Sequence, residues 1–416
     1  MKALTASLVL LLFSVGGGSS LRAETLTLAE ALQAVREHHP ALAAARAQAE
    51  AVRTRIDQEK AWMDPRLSLE VKREDTLRPN TYSEVELAVS QELPLSRRNT
   101  LRAKGAAAEA SMFDAAVLVK LQVVLNQARA AYLRIAAVDT RLQVNTRLRT
   151  VLQQSIALAQ QGYESGQQMQ VDVIETQTEL TRLDSDENDL AMQRAEDVAR
   201  LNGLMQRPTE TAIDPLALPE PTPLTLTPAE ALERVRGHHP ELLMAARRIE
   251  SAQAQVAVAR KNRTPDPEVM LRVKQMNRSG DVISAYDTGV SLSLPWFNDR
   301  RNRAQVAEAE SGVTAARAEA RASEADLAGM VAGMHQRARL AYTQYKRFHD
   351  ELLPLAQLRA ESQRRGYETG TTPLFAALGA ERSVLETEAS MVKAQADHAL
   401  ATAELDFLTA RDLTGP

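Results

Sequence analysis

The chain contains the same pattern of residues twice. The segment from Thr27 to Leu42 recurs at residues 227–242 with eleven of sixteen positions identical. Four further matches keep the same order, namely Asp64-Pro65 with Asp266-Pro267, Leu93-Pro94 with Leu294-Pro295, Arg97-Arg98-Asn99 with Arg300-Arg301-Asn302, and Gly162-Tyr163-Glu164 with Gly366-Tyr367-Glu368. Matches that stay in order over such long segments indicate a tandem duplication of one structural unit. Two long copies are too few for a solenoid, so we expect two quasi-equivalent parts of a symmetric assembly.

The first 23 residues have the pattern of a cleaved secretory signal peptide. Lys2 precedes an apolar run at residues 8–15, and a small-residue site ends at Ala23. The apolar run is too short to span a bilayer, and no later segment approaches about 18 uninterrupted apolar residues. The sequence therefore predicts a secreted chain without a transmembrane helix.

Composition limits the class of protein further. The absence of cysteine rules out a lipidated N-terminal cysteine and a disulfide framework. Removal of Lys2 and Arg22 with the signal peptide leaves 48 basic against 54 acidic residues, and this balance argues against nucleic acid as the main partner. Only 4% of residues are aromatic, while alanine, leucine, glutamine, glutamate and arginine dominate. That composition is typical of long helices packed on one another.

Each repeat is predicted to begin with two helices. Thr27 and Thr227 are candidate N-caps, and a glutamate three residues later completes the spacing of a capping box. These first helices should end before Pro40 and Pro240. The second helices, predicted at 41–61 and 241–261, stop near the Asp-Pro pairs because a residue before proline disfavours the helical conformation.

Two segments of each repeat alternate apolar and polar residues and predict strands. The alternation covers 67–72 and 85–91 in the first repeat, and 269–274 and 290–294 in the second. Polar loops are predicted at 76–81 and 277–285. The strands form either half-buried soluble hairpins or membrane strands. Four strands cannot close a barrel, and open edges are excluded from lipid, so membrane strands would require several chains to share one barrel.

Very long helices follow the strand pairs. They are predicted at 97–161 and 302–365, and each would be roughly 95 to 100 Å long. A seam of apolar or aromatic positions steps by threes and fours through Leu121, Leu125, Ala128, Tyr132, Ile135, Val138, Leu142, Leu148, Leu152, Ile156 and Ala159. Breaks are predicted at 162–168 and 366–372, with return helices to about 205 and 409. Six prolines within 207–228 predict an extended crossover at 207–226.

These features together resemble the TolC family of outer-membrane efflux proteins. The most specific carriers are Tyr163-Glu-Ser-Gly166, followed by Val171-Asp-Val-Ile-Glu-Thr-Gln177, and Tyr367-Glu-Thr-Gly370. The resemblance covers nearly all of the mature chain. The short length, the Asp-Pro strand entries and the Leu-Pro strand exits are most similar to the CzcC-like heavy-metal branch.

The resemblance implies a mainly α protein with membrane β-strands. Repeats at 24–206 and 227–416 would each contain a strand region, at 66–93 and 268–294, and a helical tip, at 162–172 and 366–376. A homotrimer would close a 12-strand barrel in outer-membrane lipid and an α-helical tunnel in the periplasm. The protein would be a passive conduit for small molecules or metal ions. A periplasmic membrane-fusion adaptor and an inner-membrane pump of the RND type would be its partners.

The resemblance also places candidate residues at the tips. Asp172 and Tyr367 match positions that close the periplasmic end in family members, and a phenol-to-carboxylate hydrogen bond would suit a reversible latch. Three copies of Asp172 near the axis would form an acidic ring that favours cations. The alternative is that Asp172 caps the return helix and Tyr367 packs in the seam. The candidates for contact with the adaptor are Tyr163, Gly166, Gly370 and Thr372. The chain departs from the family pattern in having Thr372, Ala376 and Gly379 where some members carry charged residues.

Other functions have less support in the sequence. It lacks a nucleophile elbow, a phosphate loop, an H-E-x-x-H motif and the spacing of metal ligands, so we predict no catalytic residue, no bound metal and no cofactor. The pairs His38-His39 and His238-His239 precede prolines at helix ends, where packing or dipole compensation explains them better than metal binding. The alternative function is that of a soluble periplasmic coiled-coil adaptor or scaffold whose alternating segments form an ordinary β-domain.

Overall fold

The two repeats fold into the same order of elements in the computed structural model. It describes residues 26–72, 83–166, 169–278 and 281–410, so the predicted signal peptide at 1–23 and the predicted loop at 76–81 lie outside the described residues. The first repeat contains α1 (Leu28–His38), α2 (Pro40–Lys60), β1 (Arg66–Lys72), β2 (Glu84–Glu92), α3 (Arg98–Glu164) and α4 (Gln170–Leu204). The second contains α5 (Pro228–His238), α6 (Pro240–Lys261), β3 (Pro267–Arg278), β4 (Asp281–Leu292), α7 (Asp299–Lys346), a π-helical turn (Arg347–Leu352), α8 (Leu353–Glu368) and α9 (Leu374–Leu408).

Matched caps start the helices of both repeats. Thr27 and Glu30 form the predicted capping box of α1, and Thr227 and Glu230 form that of α5. In each box the threonine hydroxyl accepts from the glutamate backbone N–H, and the glutamate carboxylate accepts in return from the threonine N–H. These reciprocal bonds satisfy backbone donors that a helix start leaves open. The sequence prediction of both caps is confirmed.

Helix α3 forms the centre of the molecule. Its 67 residues make it about 100 Å long at 1.5 Å per residue. It packs against α2, α4, α6 and α9, and its apolar seam is buried along most of its length. Val124, Leu125 and Ile135 belong to the largest buried apolar cluster, together with Leu201 of α4. The hydrophobic core therefore follows one long helix.

The corresponding helix of the second repeat is interrupted. The sequence predicts one continuous helix at 302–365, but a π-helical turn separates α7 from α8. Tyr132 donates to Leu26 O, and His335 contacts Leu226 O in the same way, so these two residues are equivalent. From there to the matched helix ends at Glu164 and Glu368, the second repeat has one residue more. A π turn absorbs one inserted residue without ending the helix, which explains the interruption.

The four strands form one antiparallel sheet in the order β1-β2-β3-β4. The predicted loop at 277–285 is wrong, because β3 continues to Arg278 and β4 begins at Asp281. The register pairs Met276 with Ile283 and Gln275 with Ser284, so the ladder runs through most of that segment. Polar and small residues there suggested a loop, but Val282, Tyr286, Val290 and Leu292 place apolar or aromatic side chains on one face of β4. Pairing along the whole of β3 therefore prevails over the local preference.

The crossover between the repeats lies against α3, α4 and α9. Its residues Ile213 and Leu216 are buried in the largest cluster, and its Pro219 O accepts from Gln395 of α9. Within the described residues, none of the helices combines the length and apolar character that crossing a membrane requires. The predicted class, mainly α with inserted strand pairs and long antiparallel helices, is confirmed.

Candidate functional site

One face of the sheet is apolar across all four strands. Residues that pair across strands share a face. Leu69, Leu87, Val273 and Tyr286 lie side by side in one such row. The next row consists of Leu67, Val89, Leu271 and Thr288. Nearly all of these large side chains are exposed in the single chain, and Tyr286 is 81% exposed.

The opposite face carries charged side chains. Arg272 Nε lies 2.5 Å from Glu86 Oε1, and Lys274 Nζ lies 3.1 Å from Asp287 Oδ2. Glu86 is buried, and it is flanked by Lys274 at 3.9 Å. Ion pairs on one face and exposed aliphatic side chains on the other divide the sheet into a polar side and an apolar side. This is the alternation that a strand needs when one face meets lipid and the other meets water.

Both edges of the sheet are unpaired within the described chain. β1 pairs only with β2, and β4 pairs only with β3. An edge strand presents a row of backbone donors and acceptors without partners, which is costly in an apolar surrounding. In an apolar surrounding, a sheet with an exposed apolar face and two open edges would need further strands on both sides.

A polar junction connects the sheet to α3. Asp266, which precedes β3, accepts hydrogen bonds from Ser96 N at 2.7 Å and from Ser96 Oγ at 2.8 Å. Arg98 lies 3.2 Å from the same carboxylate and 3.0 Å from Glu92. Asp266 is buried, and these contacts compensate its charge. The second repeat thereby fixes the start of the long helix of the first repeat.

The first helical tip is a tight turn at the far end of the molecule. Gly166 has a φ of +69°, and its N–H donates to Tyr163 O. A Cβ at this glycine would contact nothing within 4 Å, so the positive φ is the feature that favours glycine there. Tyr163 is half exposed, and Met169 is 71% exposed.

The second tip copies the first. Gly370 has a φ of +74°, and its N–H donates to Tyr367 O. Thr371 and Thr372 both donate backbone hydrogen bonds to Gly366 O. Pro373 then precedes α9. Among the described residues, both tips therefore contain a matched glycine turn, next to an exposed tyrosine side chain.

The two gate candidates lie at different tips and are not hydrogen-bonded to each other within the chain. Asp172 Oδ2 accepts from Met169 N at 3.2 Å, which gives the carboxylate a role at the start of α4. Tyr367 is 44% exposed. Asp172 therefore makes the contact expected if it caps the return helix α4. A gating contact would have to form in addition to this one.

Sequence reasoning missed an ion pair that links the two helical hairpins near the tips. Arg382 of α9 donates to Glu179 of α4. Neither residue belongs to a matched motif, and helical periodicity alone does not indicate which hairpin a charged side chain will contact. The pair ties the first tip to the second within one chain.

The second histidine of each pair caps a helix. His39 Nδ1 accepts from Ala41 N, and His239 Nδ1 accepts from Glu241 N, at the starts of α2 and α6. Burial lowers the pKa of His239 to about 4, so its ring is neutral near pH 7. His38 Nδ1 lies 3.1 Å from Ala34 O. Among the described residues, no group of three or more potential ligands has an arrangement suited to a metal ion.

A protein-family model described as outer membrane efflux protein matches residues 31–205 and 231–411, which is one match for each repeat. A comparison with curated proteins gave no significant match. These two matched segments include both strand pairs and both tips.

Solved structures share the fold. The outer-membrane channel OprN is 18% identical, with 92% of this chain and 89% of that chain covered and a TM-score of 0.73. The outer membrane protein VceC from Vibrio cholerae is 16% identical, with coverage of 93% and 96% and a TM-score of 0.74. CusC is also 16% identical, with coverage of 95% for both chains and a TM-score of 0.70.

Proposed function

This chain belongs to the outer membrane efflux protein family and is an outer-membrane channel component, and we propose that it acts as a homotrimeric passive conduit. Three copies would contribute four strands each to one 12-strand barrel in outer-membrane lipid. Their long helices would form the periplasmic tunnel. The family membership favours this role over that of a soluble periplasmic adaptor.

The main support for the proposed trimer is the four-stranded sheet, which has two unpaired edges and one apolar face. Side-by-side association pairs every edge strand, places the apolar rows against lipid and encloses the ion pairs in a polar interior. Exposed aromatic residues at the end of the sheet that joins the helices, Trp62, Trp296 and Phe297, suit the membrane interface. Helices of about 100 Å exceed the thickness of a bilayer core by about three-fold and suit a periplasmic extension.

The proposal is tested by the mass of the detergent-extracted mature protein and by its conductance. Light scattering should give three copies per particle, and planar-bilayer recording should give discrete channel openings. A monomer that is released without detergent and shows no conductance would overturn the proposal.

Adjacent residues of β1 offer a matched pair of variants. Leu69 lies in an apolar row, whereas Ser68 lies on the opposite face. Lysine on the lipid face of a barrel costs about 2–4 kcal/mol near the bilayer midplane, and lysine on the interior face is tolerated. Leu69→Lys should therefore abolish assembly in the membrane, while Ser68→Lys should assemble and change only conductance. Equal assembly of both variants would contradict the assigned faces.

A passive conduit needs a partner that supplies the energy for export and a partner that connects it to the inner membrane. We propose a periplasmic membrane-fusion adaptor that contacts the tips, and an inner-membrane pump of the RND type. The conduit itself would catalyse no reaction and hold no cofactor. Its cargo would be small molecules or metal ions, as in the CzcC-like heavy-metal branch, and the pump would select it.

The tip residues Tyr163, Gly166, Gly370 and Thr372 would form the adaptor contact. Replacement of Gly370 by phenylalanine should reduce the amount of adaptor that co-purifies from native membranes. Gly237, in the short helix α5, is the control position, because an added Cβ contacts nothing within 4 Å at either glycine. Full retention of the adaptor by Gly370→Phe would speak against contact at this tip.

The proposed gate consists of Asp172 and Tyr367, with the three Asp172 carboxylates forming an acidic ring. Asp172→Ala should raise the conductance of the resting channel. Asp172→Asn separates the two roles, because the amide oxygen can still accept from Met169 N while the charge is lost. Glu175→Ala, which removes an exposed carboxylate of the same helix, is the control. An unchanged resting conductance in both Asp172 variants would remove this residue from the gate.

A further inference from the structure

We propose that the outer surface of the chain, where the helices join the sheet, is a docking surface for anionic phospholipids. The side chains of Lys60, Lys104 and Lys261 would contact the phosphate groups of the membrane leaflet that adjoins the helices. The proposal rests on the proposed function, because it requires the sheet to lie in the membrane. It adds the charge of the lipid that the chain selects and the residues that select it.

Basic residues are concentrated where the helices join the sheet. Twelve arginines or lysines and two aspartates occupy the 24 positions of this basic band, which consists of residues 60–66, 97–104, 260–263 and 299–303. Without the predicted signal peptide, the whole chain has 48 basic against 54 acidic residues. The band is therefore opposite in charge to the chain as a whole.

Direct contacts hold the four segments of the basic band together. Asn99 Nδ2 donates to Ala61 O at 2.7 Å, which joins the first two segments. Arg263 donates to Asp299, which joins the last two. Helices α3 and α6 pack against each other and connect the two halves. The basic band is therefore one continuous region across the ends of α2, α3, α6 and α7.

Exposed tryptophans place the basic band at the level of the membrane surface. Trp62 is 61% exposed and Trp296 is 51% exposed, and both lie between the helices and the strands. Lys60 precedes Trp62 by two residues, on the helical side. Tryptophan prefers the headgroup level of a bilayer, and a lysine beside it can extend its charged end to the same level. The lysines of the band can therefore reach lipid phosphates.

One face of the helical layer continues the polar face of the sheet. Arg98 lies 3.0 Å from Glu92, which is on the same face of β2 as Glu86. Arg102 and Glu109 follow Arg98 at about one and three turns of α3 and line a polar groove of about 550 Å³. This side of the layer belongs with the polar face of the sheet, so it would face the interior of the channel.

The opposite face carries the three lysines. Ser111 follows Glu109 by two residues, which turn a helix by about 200°, so it lies on the other side of α3. A groove of about 500 Å³ on that side is lined by one residue from each of three helices, among others, namely Arg53, Ser111 and Arg247. Lys60, Lys104 and Lys261 lie seven, seven and fourteen residues from these positions, towards the sheet. Seven residues make nearly two turns, so the lysines share the outer face.

The three lysines are exposed and lack a counter-charge. Among the residues that the structure describes, no carboxylate forms an ion pair with any of them. Arg55 pairs with Glu109 at 3.0 Å, and five residues further towards the sheet in each helix are Lys60 and Lys104, which therefore lie at one level. Lys261 ends α6 as Lys60 ends α2. Uncompensated positive charge at a membrane surface attracts anionic lipid.

Quenching of tryptophan fluorescence by brominated lipid tests the preference in the full mature protein. The chain contains two tryptophans, Trp62 and Trp296, and both lie beside the basic band. The protein would be reconstituted in mixtures of phosphatidylglycerol and phosphatidylcholine in which only one of the two lipids is brominated. The two quenching curves give the relative affinity of the lipids at this surface. We expect phosphatidylglycerol to be favoured about five-fold, which is the effect of one basic residue near an anionic surface.

Triple variants separate charge from shape. Glutamine at Lys60, Lys104 and Lys261 should bring the two affinities close to equal, whereas arginine at the same positions should keep the preference for phosphatidylglycerol. The control removes the same charge from three exposed lysines elsewhere, namely Lys120→Gln, Lys346→Gln and Lys393→Gln. It should keep the preference as well.

The outcomes distinguish the lipid surface from the proposed function. Equal affinity for both lipids in a trimeric, conducting protein, or a preference that the triple glutamine variant retains, would overturn the lipid surface alone. A changed ion selectivity of the triple glutamine variant with an unchanged lipid preference would place the lysines in the tunnel and would also overturn it. Absence of quenching by either brominated lipid would remove this end of the sheet from the membrane and overturn both.

Discussion

The long helices of the two repeats have the same origin in the sequence but different surroundings. α3 buries twenty residues and contacts four other long or medium helices. Its counterpart buries six residues in α7 and none in α8, all within the described part of the chain. Leu355 and Leu358 of α8 are each 63% exposed. The difference shows that helices of the second repeat cover α3 of the first repeat. In the single chain, one side of α7 and α8 remains exposed.

A second contrast lies where the crossover meets each hairpin. In the first repeat Arg194 Nε donates to Asp139 at 2.6 Å, Leu216 N donates to the same carboxylate, and Arg194 also donates to Ile213 O. In the second repeat the equivalent positions are Tyr342 and His398, whose ring centroids lie 5.6 Å apart. A buried ion pair thus holds the crossover in one repeat, and an aromatic pair occupies its place in the other.

The largest expected loss of stability comes from removing the ion pair between Asp139 and Arg194. Asp139→Ala removes the carboxylate that accepts from Arg194 Nε and from Leu216 N, and loss of one partner of a buried pair costs about 3–5 kcal/mol. We expect a lower thermal unfolding midpoint by circular dichroism in detergent. Tyr342→Phe, which changes the equivalent residue of the second repeat by one hydroxyl group, should leave the midpoint nearly unchanged. Equal loss in both variants would show that the two junctions are energetically alike.

The next effect concerns the contact between α3 and α9. Leu385 is 7% exposed in the cluster that contains Val151 and Leu378, so Leu385→Ala should cost about 2–4 kcal/mol through lost burial and a cavity. Its equivalent in α4, Thr181, is exposed, and Thr181→Ala should change the stability of the isolated chain by less than about 0.5 kcal/mol. Denaturant unfolding of the two variants, in a detergent that keeps the copies separate, measures the difference. A large effect of Thr181→Ala on the separate chain would contradict the assignment of α4 as an outer edge.

Acid should affect the two capping histidines unequally. Burial lowers the pKa of His239 to about 4, whereas the ordinary value is 6.5. The unfolded chain therefore binds a proton at a pH where the folded chain does not, and stability falls as the pH decreases from about 6.5 towards 4. Between pH 7.5 and pH 5 this group should cost about 2 kcal/mol.

The histidine prediction has a matched pair of variants. His239→Asn keeps an acceptor for the Glu241 N–H and removes the titrating ring, so the loss of unfolding temperature on acidification should become smaller. His39 is less buried, and its pKa is lowered by burial and by Lys120. His39→Asn should therefore change the pH dependence less. An acid sensitivity that both variants leave intact would have to come from other groups.

Most of the fold can be predicted from the sequence, because the duplication gives two independent copies of the pattern for every element. The caps at Thr27 and Thr227 and the turns at Gly166 and Gly370 depend on local chemistry, and local chemistry is visible in a sequence. The π turn at Arg347–Leu352 is different, since it follows from one extra residue that only a comparison of helix lengths exposes. The strand β4 was predicted too short because cross-strand pairing, which is not local, extends it.

The candidate site is less predictable for the same physical reason. Alternation identifies the strands, yet the ion pairs of Glu86 with Arg272 and of Asp287 with Lys274 require the register between strands. The pair of Arg382 with Glu179 joins helices of different repeats and has no local signature. The roles of Asp172 and Tyr367 remain predictions, because their meeting would involve more than one copy or another state of the tips.

The smallest expected effect tests whether the tips are truly equivalent. Gly166 and Gly370 have φ values of +69° and +74°, and a Cβ at either position would contact nothing within 4 Å. Alanine at each position should therefore cost only the strain of the left-handed conformation, about 1 kcal/mol, and should do so equally in both repeats. Gly366→Ala differs, because its Cβ would lie 2.3 Å from Thr372 Oγ1, and it should cost more than either turn variant. Thermal unfolding of the three variants decides the matter. Unequal effects of Gly166→Ala and Gly370→Ala would mean that the matched backbone turns are supported differently, and that the second tip owes its shape to the threonines around Gly366 more than to its glycine.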